Sequence, residues 1–282
     1  MVDKIETIGK GSVIQHGKIN DRIYLIKLAE EDCPGIVKTI GGMAREHRYS
    51  KIFGKVPSYA APYFFSDGYV MEAFIPGFYN RREAAVFVSK YLSSDRLLEV
   101  EHSRMNELAN MLVKESQVST KRGSREKVHK KSKIITLDPS YVKQITRIYR
   151  EVFLSYPFPI HNPGYILKTM KENVCYYGVV KKGTLMAVAS AEIDSSGSNA
   201  EMTDFATLPD YRGNGLASRL LDAMEGKMKK AGIKTLYTIA RLNSMPMNKT
   251  FLKLNYQFAG TLIKNTNIAG KIESMNVYYK HL

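Results

Sequence analysis

One transition restricts the fold of this chain more than any other part of its sequence. Residues 201–208 read as a strand, and a short loop then supplies Arg212, Gly213 and Gly215. An amphipathic helix starts at once, with Leu216, Ala217, Leu220, Leu221, Met224 and Met228 as its buried stripe. The first amides of such a helix point outward unpaired at the positive end of its dipole. Glycines let the backbone come close to a ligand. Residues Arg212 to Ser218 are therefore expected to form an anion site suited to a pyrophosphate. No Gly-Lys-Ser/Thr follows, so this is not a Walker loop. Ser218 stands where a Rossmann fingerprint has its third glycine, which excludes that fold as well.

The surrounding pattern is α/β. From residue 134 a short strand leads to Asp138-Pro139, a helix cap with proline at the first helical position. Tyr141, Val142, Ile145, Ile148, Tyr149, Val152 and Phe153 then mark one helix face. A second short helix is expected over 165–172, and strands over 174–180, 185–193, 233–240, 257–263 and 275–280. A helix is expected over 247–254. Residues 68–75 and 85–92 echo 255–262 and 275–282 in position and character, with a matching helix over 34–48 and a matching strand over 51–56. The expected organisation is an N-terminal α/β domain over 1–120, a linker over 121–133 and a second domain over 134–282. The first domain repeats half of the second without its glycine loop, and so is not expected to bind the same ligand.

Composition narrows the partners. The chain has 282 residues, a length that favours two domains, and 42 basic against 27 acidic residues give +15. Such a charge favours anionic ligands. Seven basic residues fall in 121–133 among almost no apolar ones, which reads as a solvated linker, with a nucleic-acid arm as the alternative. No helix-turn-helix, zinc-finger or RNA-recognition signature accompanies it. No apolar run reaches the roughly 18 residues of a membrane helix, and no apolar signal core follows Met1. Cys33 and Cys175 supply neither a disulfide framework nor a cysteine zinc site. The expectation is a cytoplasmic protein without metal, membrane or nucleic-acid partners.

Arg212-Gly213-Asn214-Gly215-Leu216-Ala217 resembles the Arg/Gln-x-x-Gly-x-Gly/Ala acetyl-CoA motif of the GNAT superfamily of N-acetyltransferases. Asn243-Ser244, followed by Phe251-Leu252-Lys253-Leu254-Asn255-Tyr256, resembles its second landmark. The N-terminal region, Ile14-Gln15-His16-Gly17-Lys18 and Phe74-Ile75-Pro76-Gly77-Phe78-Tyr79 are similar to the β-lysine N6-acetyltransferase family. The resemblance implies a GNAT fold over 134–282, a mixed central sheet flanked by helices. It implies acetyl-CoA as cosubstrate, held by Phe205, Ala206, Thr207, Arg212 to Ser218 (Gly213, Asn214, Gly215, Leu216 and Ala217 between them) and Asn243. It also implies a small-molecule amine acceptor, β-lysine, acetylated on its terminal amine to make a compatible solute for osmotic adaptation. Another small amine or a protein amine is the alternative acceptor, and the oligomeric state stays open, a dimer included.

A primary amine near pKa 10 is mostly protonated at neutral pH, so acetyl transfer to it needs a base. Glu201 and Asp204 are the candidates, and strand alternation would turn only one of them toward the cleft, Glu201 being preferred. Phe251 stands where the family pattern often has tyrosine, so the proton donor to the leaving thiolate is unassigned. The acceptor site is expected from the loop 156–165, with Tyr156, His161 and Tyr165, and from the connection 264–274.

Overall fold

A computed structural model describes residues 3–98, 102–117 and 132–282. The first part holds β1 (Lys4–Ile8), β2 (Ser12–Gly17), β3 (Arg22–Lys27), α1 (Gly35–Glu46), β4 (Lys51–Pro57), α2 (Ala61–Phe65), β5 (Val70–Tyr79), β6 (Glu83–Tyr91), α3 (Ser94–Leu97) and α4 (His102–Gln117). The second holds β7 (Lys133–Thr136), α5 (Val142–Val152), α6 (Pro163–Lys171), β8 (Val174–Lys181), β9 (Thr184–Asp194), β10 (Asn199–Thr207), α7 (Leu216–Lys230), β11 (Thr235–Arg241), α8 (Met245–Lys253), β12 (Gln257–Ile268) and β13 (Lys271–His281). Residues 121–131 of the basic run lie outside the described residues.

Local chemistry sets the helix ends. The Asp138 carboxylate accepts from the Ser140 amide at 2.8 Å, and α5 buries Val142, Ile145, Ile148 and Tyr149 as their spacing predicts. Asn162 caps α6 by accepting from Gly164 N, with Pro163 opening the helix. In α7, Lys227, Lys229 and Lys230 sit at the negative dipole end before Gly232.

Among the described residues one sheet of thirteen strands runs β1-β2-β3-β4-β6-β5-β12-β13-β11-β10-β9-β8-β7. Read from β1 to β5, the first part has the order and directions of the second from β8 to β12. β3 and β4 pair in parallel as β10 and β11 do, and β4–β6 and β11–β13 are both antiparallel. The sequence echo is thus a repeat of topology. The two arrays meet edge to edge where Gly260 of β12 pairs with Ala73 of β5. Gly260 has φ +150°, and a Cβ there would lie 2.0 Å from the Glu72 carbonyl, so only glycine lets the strands approach.

A buried ion pair pins the same seam. Lys51 Nζ donates to Glu72 Oε2 at 3.0 Å and to the Ile263 carbonyl at 2.7 Å, while Glu72 Oε1 accepts from Ile263 N at 2.8 Å. Tyr24, Phe53, Phe87, Tyr237, Leu262 and Val277 form one apolar cluster drawn from both arrays. Helix α4, within the expected first domain, packs Leu108 and Met111 into the core under α7 and α8. The connection 264–274 is a hairpin arm that extends β12 and β13 beyond the expected strands over 257–263 and 275–280. Thr266 pairs with Glu273 and Ile268 with Lys271 after a register shift between Leu262 and Thr266, and the arm turns at Ala269-Gly270.

Candidate active site

Strand β10 carries the decisive irregularity. It pairs with β11 only over Asn199↔Thr235, Ala200↔Leu236 and Glu201↔Tyr237. Beyond Glu201 the two parallel strands part, and a cleft of about 1290 Å³ opens between them. On its other side the register of β10 against β9 slips between Thr203 and Ala206, with Asp204 at φ +55°. That bulge overturns the simple alternation expected for the two carboxylates. Glu201 and Asp204 both line the cleft, because the irregular backbone between them cancels the change of face.

Their surroundings differ. Asp204 Oδ1 accepts from the Tyr156 hydroxyl at 2.5 Å and its Oδ2 from Ser190 Oγ at 2.6 Å, so both oxygens are engaged. Burial nevertheless holds its carboxyl above the usual range, against those hydrogen bonds. Glu201 is pushed up to about 7, first by burial and then by Glu192 across the β9–β10 ladder. Lys55 and a hydrogen bond from Tyr237 oppose the shift. Glu192 lines the cleft, and desolvation raises its carboxyl too. Lys55 Nζ donates to the Tyr237 hydroxyl at 2.7 Å and lies over the Tyr237 ring. A carboxylate poised near neutrality in a cleft is what a general base requires.

The other arm of the cleft is the glycine loop. Gly213 (φ +75°) and Gly215 (φ +66°) both take left-handed backbone, and α7 begins at the next residue. Arg212, Gly213, Gly215, Leu216, Ala217 and Ser218 line this arm, as do Phe205 and Thr207 of β10. A Cβ on Gly213 would meet nothing within 4 Å, so the space beside the loop is open. Lys249 and Thr250 of α8 face the same space.

Four expected site residues do not line the cleft. Ala206 pairs with Val188 and is buried in the core packed against α5. Asn214 turns its amide back onto the Tyr211 and Arg212 carbonyls, tightening the loop. Asn243 lies in the turn before α8, and Ser244 and Pro246 reach the cleft instead. His161 is folded into its own loop, where its Nε2 is buried and its carbonyl accepts from Arg150. Tyr156 and Tyr165 do line the acceptor end, with Asn265 and Thr266 of the hairpin arm. Phe251 lines the cleft edge-on to Phe205 and offers no hydroxyl.

Arg22, Tyr24, Phe53 and Lys55 complete the acceptor end, all from the N-terminal array. Sequence reasoning passed over them, along with Glu192 and Tyr237. The available signal was period two, since Arg22 and Tyr24 on β3 and Lys51, Phe53 and Lys55 on β4 put basic residues on one face of apolar strands. Among the described residues no group of three or more His, Cys, Asp or Glu could hold a metal ion, and no helix is long and apolar enough to cross a membrane.

A parallel pair that splays at a carboxylate, beside a glycine loop opening a helix, is the arrangement of an acyl-transfer cleft, and the sequence profile of the Acetyltransferase (GNAT) family matches residues 142–256. The chain belongs to this family and is an N-acetyltransferase. More particularly, it is 37% identical over 269 residues to a β-lysine N(6)-acetyltransferase of Methanococcus maripaludis, covering 95% of this chain and 96% of that one. It is 32% identical to N-acetyltransferase YodP of Bacillus subtilis over the full length of both chains. It is 28% identical to a β-lysine N(6)-acetyltransferase of Methanosarcina mazei, over 89% of this chain and 97% of that one.

Proposed function

We propose that this enzyme transfers the acetyl group of acetyl-CoA to the terminal amine of β-lysine, making the compatible solute N6-acetyl-β-lysine in the cytoplasm. The observation that carries the reading is the meeting at Glu201 of two clefts in one. On one side is a backbone cradle for phosphates, and on the other a pocket whose carboxylates suit a cationic amine. Two relatives named for β-lysine, matched along nearly the whole chain, support the acceptor.

Acetyl-CoA, when bound, supplies the activated acyl group. The amides from Arg212 to Ser218 would hold its pyrophosphate, and the parted edges of β10 and β11 would admit its pantetheine arm. Glu201 takes the proton from the acceptor ammonium, directly or through a water. The freed nitrogen would attack the thioester carbonyl, so that a C–N bond forms as the C–S bond breaks. CoA would leave as its thiolate, and the second proton lost from nitrogen would reach that thiolate through solvent, since Phe251 offers no donor. A backbone N–H near Phe205 meets the carbonyl oxygen where β10 has left its ladder, a contribution of about 2.7–4 kcal/mol for a preorganised donor. Residues 134–282 carry this chemistry. Strands β1 to β6 form a repeat that keeps the strand order, lacks the glycine loop and walls the acceptor pocket.

The direct test is acetyl-CoA turnover with β-lysine, lysine, polyamines and a histone-like peptide. Selective consumption of β-lysine supports the proposal, and preference for the peptide overturns it.

A further inference from the structure

The charges at the acceptor end are sorted by sign. Around Glu201 lie Glu192 and Asp204, with Lys55 as the neighbouring cation. At the opposite end, on the same face of β3 and β4, Arg22 stands beside Lys51 and Arg96. Glu72 answers Lys51 in that group. Arg22 and Arg96 have no ion pair among the described residues; Arg96 is spent on the carbonyls of Asn20 and Lys264 and on Ser50.

Arg22 is the member that reaches the cleft. It is 3% exposed, and its guanidinium lies 5.3 Å from the Tyr24 ring and 5.5 Å from that of Phe53. Its Nη1 donates to the Asn265 carbonyl and to Thr266 Oγ1, yet its Nε is buried without a hydrogen-bond partner. Asp3 and Glu72 act on Arg22 only at a distance, and a buried guanidinium with neither a carboxylate in contact nor a full set of acceptors is costly to maintain unless an anion completes it. Carbonyls and aromatic faces offset only part of that cost. Arg22 faces Lys51 in the strand register, and Lys55 lies four residues further along β4, roughly 13 Å by strand rise. The guanidinium leans over Tyr24 and Phe53 into that interval. The pocket thus has a cationic end and a carboxylate end, complementary to an extended molecule with a carboxylate at one terminus and an amine at the other.

We infer that Arg22 receives the acceptor's carboxylate, so that the N-terminal array makes the enzyme select amino-acid acceptors over plain diamines and polyamines. The inference rests on the amino-acid acceptor proposed above and adds the residue that reads it. Arg22 is a specificity determinant remote from the transferred acetyl group.

Steady-state kinetics of the full-length enzyme test it, using β-lysine, its carboxamide and 1,4-diaminopentane with wild type, Arg22→Met and Arg22→Lys. Wild type is expected to prefer β-lysine over the carboxamide by about 10²-fold or more in kcat/KM, the scale of a buried charge contact. Arg22→Met should collapse that ratio to within a few-fold of one, mainly through the KM for β-lysine, while the KM for acetyl-CoA stays put. Arg22→Lys should restore part of the ratio. An unchanged ratio in Arg22→Met, or equal loss on all three acceptors, overturns the inference and leaves the acceptor reading standing. Should Arg22→Met fail to fold, the wild-type and Arg22→Lys ratios decide, and a wild type indifferent to the carboxylate overturns it. A wild type that consumes other amines but not β-lysine overturns the acceptor reading and this inference together.

Discussion

Lys55 Nζ, from the N-terminal array, donates to the Tyr237 hydroxyl at 2.7 Å, and Tyr237 is the ladder partner of Glu201 at the last rung before β10 and β11 part. A cation from one half of the repeat is thereby held beside the candidate base in the other. Burial and Glu192 press the Glu201 carboxyl toward its protonated form, and Lys55 works against them. Lys55→Met should therefore move the ascending limb of the kcat/KM–pH profile to higher pH by about one pH unit, since removing a nearby cation disfavours the carboxylate. Steady-state rates from pH 5.5 to 9.5 would show it. A limb that stays in place would show that Lys55 does not bear on the base.

The proposed phosphate cradle is made of backbone at Gly213 and Gly215. Gly213→Asp and Gly215→Asp should each abolish acetyl-CoA binding, because a carboxylate would sit against the amides and both residues need left-handed backbone. Isothermal titration with CoA on folded variants measures this. Wild-type affinity in the double variant would remove the loop from the site.

Asp204 should behave as a positioning residue. Its oxygens are taken by Tyr156 and Ser190, which ties the acceptor loop to the bulge of β10. Asp204→Asn should lower stability by about 1–3 kcal/mol, as expected when buried partners lose their acceptor. It should raise acceptor KM more than it lowers kcat, with no rescue at high pH. Urea unfolding and a pH series on the variant check both parts, and a pH-rescued loss of kcat would make Asp204 the base instead.

Much of this was legible in the sequence, for physical reasons that differ between elements. The helices followed from periodic apolar faces and from caps such as Asp138-Pro139, all local signals. The glycine loop declared itself by chemistry at fixed spacing. The bulge at Asp204 did not, because a register slip depends on the neighbouring strand, and so alternation misplaced one carboxylate. The hairpin arm over 264–274 escaped notice because its polar residues, Asn265, Thr266 and Asn267, mimic a loop until paired with β13. Arg22 and Lys55 lie over 100 residues from Glu201, and only the edge-to-edge joining of the two arrays brings them to the site.

That joining makes its own prediction. Lys51 and Glu72 are almost wholly buried at the seam, where Glu72 also accepts from Ile263 N. Lys51→Met leaves a carboxylate buried without its cation and should cost about 3–5 kcal/mol. The double variant Lys51→Met/Glu72→Gln should recover a good part of it. Equilibrium unfolding in urea decides, and a single variant as stable as wild type would mean the pair does not hold the seam.

The most direct measurement is the pH dependence of Glu201→Gln. In the proposed reaction deprotonated Glu201 is the active form, and its carboxyl is raised to about 7, so wild-type kcat/KM should climb as pH rises through neutrality. Glu201→Gln should lower kcat/KM at pH 7 by about 10²–10⁴-fold, the range for a positioned base. It should lose the limb near 7 and recover part of its rate toward pH 9.5, where more of the acceptor amine is already neutral. Acetyl-CoA affinity should be unchanged. Near-normal turnover by Glu201→Gln, with the limb near 7 intact, would contradict the account.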